Sequence, residues 1–313
     1  MSQKSINSPK IVEETKTEPQ VTVELHSIMY PNQSQSRHAY QSPTSAAPKA
    51  PYRPSQPSIP FGMGVLKTLR ERKSNPYIDE DTWKALSISC QVLDIDSPAA
   101  SGGKYFQLVP AEYMQTLARE HRFHEETDLG PYGTSSKFAT AFHVDSSLGT
   151  CISAVYNNKP LSERLGWKGR LPDEYERPKL WYYPKNNGIW QVEQILEPMS
   201  GLLPHISCTL VESHPHMEDS LLFSEVWCII MLTLLALRLP KNEKHNIVPI
   251  TMVSLCDRQY RILQSFVDGK ECVINIWKSR IVHFNKEGQL QKDFTDILRW
   301  VLAKPIGDTT KAH

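Results

Sequence analysis

Three acidic residues and one lysine follow an order that is typical of metal-dependent nucleases. Glu225 lies in a long apolar stretch, and Asp257, Asp268 and Lys270 come later, at the ends of predicted strands. In such enzymes carboxylates hold Mg²⁺ and a lysine assists the attacking water. The glycine between Asp268 and Lys270 instead favours a hairpin turn. The pattern therefore supports two interpretations, a nuclease-like site and a simple turn.

A second candidate is a metal site of the kind found in Fe(II) oxygenases. Residues 137–156 are predicted to form two short strands, and His143 and Asp145 are separated by one residue there. Alternate residues of a strand share a face, so both side chains would reach one metal ion. The sequence contains eleven histidines, so such a pair also arises by chance. The candidates for the further histidine ligand are His205, His214, His216, His245 and His283.

A third candidate metal site lies at the end of a helix predicted over 110–121. His121 and His124 are three residues apart and are followed by Glu125 and Glu126. This spacing would bring two imidazoles and a carboxylate to one side of a metal ion. The H-E-x-x-H pattern of zinc enzymes is missing, and polar side chains at a helix end are usually solvated.

Aromatic residues form a candidate ligand-binding surface. Trp181, Tyr183 and Trp190 lie in two predicted strands that flank residues 186–188, an Asn-Asn-Gly sequence that predicts a hairpin. Rings on such strands stack with bases or flat ligands in some proteins. In most proteins they contribute to the core and to cross-strand pairs. The sequence is consistent with both a ligand-binding surface and a part of the core.

Two other common enzyme motifs are missing from the sequence. It has no glycine-rich phosphate loop and no G-x-S-x-G motif. The sequence therefore favours a non-enzymatic module that binds a protein or a small ligand. The alternative is a metal-dependent enzyme, nuclease-like or Fe(II)-oxygenase-like. We expect that the protein needs no cofactor and that its partner is neither a nucleic acid nor a membrane. The sequence does not identify the protein or ligand that it binds.

The stretch 220–239, SLLFSEVWCIIMLTLLALRL, is the most apolar part of the chain. About 20 apolar residues are enough for a membrane span, so a single-span membrane protein is a further alternative. A buried helix of a soluble domain fits the sequence better than a membrane span. The reasons are Glu225 inside the stretch, the acidic residues before it and Pro240 after it.

The fold is predicted to be α+β, with a mainly antiparallel sheet packed on the buried central helix (about 220–239) and on a C-terminal amphipathic helix. That last helix, 290–302, carries five apolar residues on one face, namely Leu290, Phe294, Ile297, Leu298 and Val301. The predicted strands outside 137–156 are 85–93, 179–183, 188–196, 206–211, 247–255, 260–267, 271–276 and 280–284.

The chain is predicted to contain one domain. Residues 1–75 are rich in Pro, Ser and Gln from residue 31 onward and are expected to form a disordered tail with ten basic and five acidic side chains. Residues 76–306 are expected to form a single globular α+β domain, and 307–313 a disordered end. The protein is predicted to be soluble and intracellular, in the cytoplasm or nucleus. Its six cysteines include no C-x-x-C pair, and its N-terminal segment lacks the apolar stretch of a signal peptide.

The C-terminal part of the chain resembles a known family. The segments VPITMVSLCDRQYRILQSFVDGKECVINIWKSRIVHF and ILRWVLAKPIGDTT are similar to an uncharacterised family of intracellular proteins from filamentous fungi. Members share an R-I-L-Q-x-x-x-D-G strand and turn and an R-W…P-x-G-D-T ending. The resemblance covers about residues 220–310 and carries no known activity. It implies a domain boundary and a fungal intracellular setting, and it transfers no site residue.

Overall fold

In this computed structural model of the protein, the described residues are 56–72, 75–96, 103–121, 136–170, 181–182, 189–284 and 290–310. For residues 181–182 and 290–291 only the backbone is described. All of these residues belong to one structural unit, Arg53–His313. The helices of this part of the chain are α1 (Ser58–Glu71), α2 (Glu80–Ala85), α3 (Ala111–Glu120), α4 (Lys137–Ser153), α5 (Leu161–Arg164), α6 (Phe223–Leu237) and α7 (Leu290–Val301).

The strands of the same part are short at the ends of the chain and long in its centre. They are β1 (Tyr77–Ile78), β2 (Ile88–Val92), β3 (Phe106–Gln107), β4 (Val155–Tyr156), β5 (Lys159–Pro160), β6 (Trp167–Gly169), β7 (Trp181–Tyr182), β8 (Trp190–Pro198), β9 (Ile206–Glu212), β10 (Leu221–Leu222), β11 (Ile250–Cys256), β12 (Gln259–Asp268), β13 (Val273–Lys278), β14 (Val282–His283) and β15 (Lys304–Pro305).

One mixed sheet of nine strands forms the centre of the fold. Its order is β2-β13-β12-β11-β9-β8-β6, with β14 also paired to β12 and β7 to β8. Two pairs, β9 with β11 and β13 with β2, are parallel. The other six pairs are antiparallel. The predicted α+β class with a mainly antiparallel sheet is therefore confirmed.

Helices cover both faces of the sheet. On one face α1 and α6 pack on alternate residues of the central strands, such as Met252 and Leu263. On the other face α3, α4, α5 and α7 pack on the intervening residues, such as Val253 and Ile262. Because successive side chains of a strand point to opposite faces, each long strand contributes to both cores. This explains why the central strands are buried along nearly their whole length.

Helix α6 is the predicted central helix. All of its residues except Trp227 are buried, and the backbone N–H of Leu222 donates to the Glu225 carboxylate at 2.8 Å. Its 15 residues span only about 22 Å, whereas a bilayer core measures about 30 Å. Within the described ranges, no helix combines the length and the hydropathy that a membrane crossing needs.

Two predicted boundaries are wrong. The predicted tail includes residues 58–71, but they form α1, whose residues Ile59, Leu66 and Leu69 are buried at helical spacing against α6. The predicted disordered end includes residues 307–310, but Thr309 is buried and its hydroxyl is hydrogen-bonded to His245 Nδ1 at 2.8 Å. Residues 1–55 and 311–313, also predicted to be disordered, lie outside the described residues.

The prediction of two strands over 137–156 is also wrong. Most of this stretch is helix α4, which begins after Ser136, whose hydroxyl oxygen accepts a hydrogen bond from the Ala139 N–H at 3.1 Å. The buried residues of α4 recur at helical spacing, and they include Val144, Leu148 and Cys151. The β-branched and aromatic residues of this stretch favour strands on average. In this protein these residues lie in helix α4, which packs on β9 and β11 instead.

Candidate ligand site

Helix α7 places one carboxylate on its buried face. Phe294, Ile297 and Leu298 of this helix pack into the core, as the amphipathic pattern predicts. Asp293 precedes Ile297 by one helical turn and therefore lies on the same side of the helix. Only 6% of Asp293 is exposed. An ionisable side chain on the apolar face of a helix is unusual and requires an explanation.

Asp293 lines a groove between α7, β12 and β14, which we call the α7 groove. Its volume is about 470 Å³. Apolar and aromatic side chains supply part of the wall, and these include Ile262, Tyr260 and Trp300. The Tyr260 ring is held by Phe284, with ring centroids 5.0 Å apart. Burial raises the pKa of Tyr260, so this phenol stays neutral.

The other charged groups of the α7 groove are paired with each other. Arg280 donates to both carboxylate oxygens of Asp96, at 2.6 and 2.7 Å. Lys292 donates to Asp296 at 2.6 Å. Hydrogen bonds from Arg280 lower the pKa of Asp96, and the bond to Asp296 raises the pKa of Lys292. These groups therefore remain charged and compensated.

Asp293 differs from these groups because its carboxylate has no hydrogen-bond donor in the part of the chain that the structure describes. Burial raises its pKa to about 6, with a smaller opposing contribution from Lys292. At neutral pH the groove thus contains a mostly ionised carboxylate that has no hydrogen-bond donor among the described residues. Such a group can accept hydrogen bonds from a cationic N–H donor or, when protonated, supply a proton.

The predicted nuclease-like residues are not brought together. Asp257 lies in the turn before β12, and Asp268 is the last residue of that ten-residue strand. At about 3.3 Å per residue, the two are roughly 30 Å apart. Asp268 Oδ1 accepts hydrogen bonds from the backbone N–H groups of Lys270 and Glu271, as a turn residue does. Glu225 is fully buried and forms an ion pair with Arg261.

The predicted oxygenase-like pair is separated by the helical geometry of α4. Residues two apart on a helix differ by about 200°, so His143 and Asp145 point in opposite directions. His143 is exposed, whereas Asp145 is buried and accepts hydrogen bonds from Thr209 and Gln194. Burial raises the pKa of Asp145 to about 6.

The remaining candidates have structural contacts. His121 Nδ1 lies 2.8 Å from the carbonyl oxygen of Ala154, and Nε2 lies 3.1 Å from Arg164. Trp190 is 4% exposed and belongs to the core. His124, Tyr183 and the side chain of Trp181 lie outside the described residues. Nowhere in the described ranges do three His, Cys, Asp or Glu side chains form a group that could hold a metal ion.

A buried polar network lies where the parallel strands β9 and β11 end. The Arg261 guanidinium donates to Glu225, and His216 Nε2 is hydrogen-bonded to the Ser254 hydroxyl at 3.0 Å. Ligand sites are common at such strand ends in α/β sheets. Here Arg261 and Glu225 are completely buried. The network therefore connects α6 to the sheet.

Asp293 is not among the site residues that the sequence predicts. It interrupts the apolar face that Phe294, Ile297 and Trp300 otherwise define, and this interruption is the signal that identifies it. Comparisons of the chain with protein-family models, with curated proteins and with solved structures found no match.

Proposed function

We propose that this protein is a non-enzymatic binding module and that its α7 groove binds a small organic cation, such as an amine or a guanidine. The observation that carries the proposal is the buried carboxylate of Asp293, to which no described residue donates a hydrogen bond. A carboxylate in such a position costs free energy unless it is paired. A cationic N–H donor from a ligand removes that cost.

The surrounding residues support a cation over an anion. Arg280 and Lys292 are already paired with Asp96 and Asp296. The third cation of the groove, Arg299, donates to the Val109 carbonyl oxygen at 2.9 Å and lies 4.0 Å from Asp296, so each cation already has an acceptor. The rings of Tyr260 and Trp300 line the groove near the free carboxylate. Aromatic faces attract cations, and aliphatic walls shield the ligand's carbon atoms from water. The volume also falls in the range of about 300–1,000 Å³ that is usual for small-molecule sites.

The proposal places the protein inside the cell, in the cytoplasm or nucleus. It is supported by the six cysteines, all of which are free thiols. Reducing compartments keep thiols in this state. The resemblance to a family of fungal proteins supports the same setting.

Calorimetric titration of the full chain at pH 8 with butylamine, agmatine and spermidine tests the proposal. Butyrate, of similar size and opposite charge, is the negative probe. We expect at least one amine to bind and Asp293→Asn to weaken it by about 10–100-fold, the usual contribution of a charge-assisted hydrogen bond. The matched control is Asp219→Asn, because Asp219 is exposed and outside the groove. Equal affinity in Asp293→Asn, or no amine binding better than butyrate, would overturn the proposal.

A further inference from the structure

A second groove runs along the outer surface, between helices α1 and α6. The two helices touch at Gly62, where an added Cβ would lie 3.2 Å from Leu234 Cδ2. Further along, the helix surfaces leave a groove of about 390 Å³. Its floor includes Leu66, Trp227 and Met231. We call it the α1–α6 groove.

The floor of this groove is apolar and adaptable. Met63 is 48% exposed, although it lies on the groove side of α1. The Trp227 ring is stacked on Phe223, with ring centroids 5.6 Å apart, and remains partly exposed. Methionine side chains adjust their shape to different partners, and they are frequent at surfaces that bind helices. Exposed apolar side chains that are gathered in a groove are typical of surfaces that bind a partner.

Three cations surround this apolar floor. Lys67 and Arg70 lie on α1, and Arg238 lies at the end of α6. The guanidinium of Arg70 lies 5.6 Å from the centroid of the Trp227 ring, and Arg238 contacts the Met63 sulfur at 3.9 Å. Among the described residues none of the three forms an ion pair, and no acidic side chain lines the groove. The groove therefore has a net positive rim.

The two cation contacts also define the length of the groove. Arg238 contacts Met63 at one end, and Arg70 lies over Trp227 at the other. Met63 and Arg70 are seven residues apart on α1, which corresponds to about two helical turns or 10 Å. A groove of this length accepts two apolar side chains that are one or two turns apart on a partner helix.

We infer that the α1–α6 groove docks an acidic amphipathic helix of a partner protein. Two apolar residues of that helix insert between α1 and α6. Its Asp and Glu side chains pair with Lys67, Arg70 and Arg238 on both sides. The charge complementarity selects this partner from other apolar helices, because a basic helix would place like charges together.

Fluorescence anisotropy of two labelled helical peptides with the full chain tests this inference. Both peptides carry leucines on one face, and the other face carries only Glu in one and only Lys in the second. We expect the acidic peptide to bind, and to bind more weakly as salt is raised. In Arg70→Glu/Arg238→Glu the acidic peptide should bind about tenfold or more weakly and the basic peptide should gain affinity.

A misfolded variant cannot lose affinity for the acidic peptide and at the same time gain affinity for the basic one. Lys67→Glu, which reverses a single charge of the groove, is a milder second variant. Lys304→Glu is the control, because Lys304 is exposed and is not part of the groove. Equal binding of both peptides, or binding of neither, overturns the inference. Binding to vesicles of anionic phospholipid without binding of the acidic peptide overturns it in favour of a lipid surface. A dimer in sedimentation that Arg70→Glu dissociates, without peptide binding, overturns it in favour of a second copy of this chain.

Discussion

Arg261 on strand β12 holds Glu225 on helix α6 with two hydrogen bonds, and neither side chain is exposed. The same guanidinium donates to the carbonyl oxygens of Met217 and Ser220, at 3.1 and 2.8 Å. One side chain therefore connects the sheet, the start of α6 and the loop before it. Both charges depend on each other, because a buried charge without its partner is strongly unfavourable.

Replacing Arg261 alone should destabilise the protein severely. In Arg261→Met the Glu225 carboxylate remains buried without a counter-charge, which typically costs about 3–5 kcal/mol. Urea unfolding at pH 7 measures the change. The double variant Glu225→Leu/Arg261→Met should be more stable than Arg261→Met, since it leaves no uncompensated charge. If the two substitutions instead cost as much as the sum of the single ones, the pair does not act as a unit.

The buried carboxyl of Asp145 should make stability depend on pH. Burial raises its folded pKa from 3.8 to about 6. Between these values the folded chain holds more protons than the unfolded chain, so this group lowers stability as pH rises through that window. A shift of this size corresponds to ~3 kcal/mol. Asp145→Asn should therefore raise the unfolding free energy at pH 7, and the gain should vanish near pH 4.

Denaturant unfolding from pH 4 to pH 8 checks this expectation. Asn keeps the size of Asp and can still accept a hydrogen bond from Thr209, so packing changes little. Asp219→Asn is the control, because Asp219 is exposed in the loop before β10 and its replacement should leave stability unchanged. A destabilised Asp145→Asn at every pH would show that the ionised carboxylate is favourable in the fold.

Two Gly→Ala substitutions should have opposite effects. A Cβ at Gly269 would lie 2.0 Å from the backbone nitrogen of Ser58, so Gly269→Ala must push the start of α1 away from the turn after β12. We expect a loss of about 1–3 kcal/mol. Gly64 lies in α1, and no described residue beyond its neighbours in the helix has an atom within 4 Å of an added Cβ. Gly64→Ala should therefore stabilise by about 0.5–1 kcal/mol.

Thermal unfolding of the two variants beside the parent chain measures both changes. Gly64→Ala tests the helix propensity of α1, and Gly269→Ala tests its contact with the turn. A neutral Gly269→Ala would mean that α1 does not approach the turn as closely as the backbone atoms indicate.

The sequence identifies the central elements because their apolar patterns are long. The predicted strand 206–211 is β9, Ile206–Glu212, and the predicted helix 290–302 is α7, Leu290–Val301. The turn at Asp268 was predicted for the conformational freedom of Gly269. The structure shows another reason: Gly269 has no positive φ, and the start of α1 lies against it.

The misplaced elements and the unnoticed site depend on tertiary contacts. Helix α1 contains Pro60 and two glycines, which argue against a helix locally, and its apolar face is stabilised only when α6 packs on it. The parallel pairing of β9 with β11 follows from the crossover through α6, which strand patterns do not specify. Asp293 becomes a candidate site residue only through its burial beside β12 and β14. A carboxylate in the first turn of a helix otherwise indicates only a favourable macrodipole interaction.

The proposed cation site should lose affinity as pH falls. Only the ionised form of Asp293 pairs with a cation, and its pKa is raised to about 6. Amine binding should therefore be nearly constant from pH 7 to pH 8 and should fall towards tenfold per pH unit below 6. Calorimetric titration with the best-bound amine, repeated from pH 5 to pH 8, measures this profile. Asp219→Asn should keep the profile, and the residual binding of Asp293→Asn should not change with pH. A midpoint near pH 4 would instead assign the binding to an ordinary exposed carboxylate.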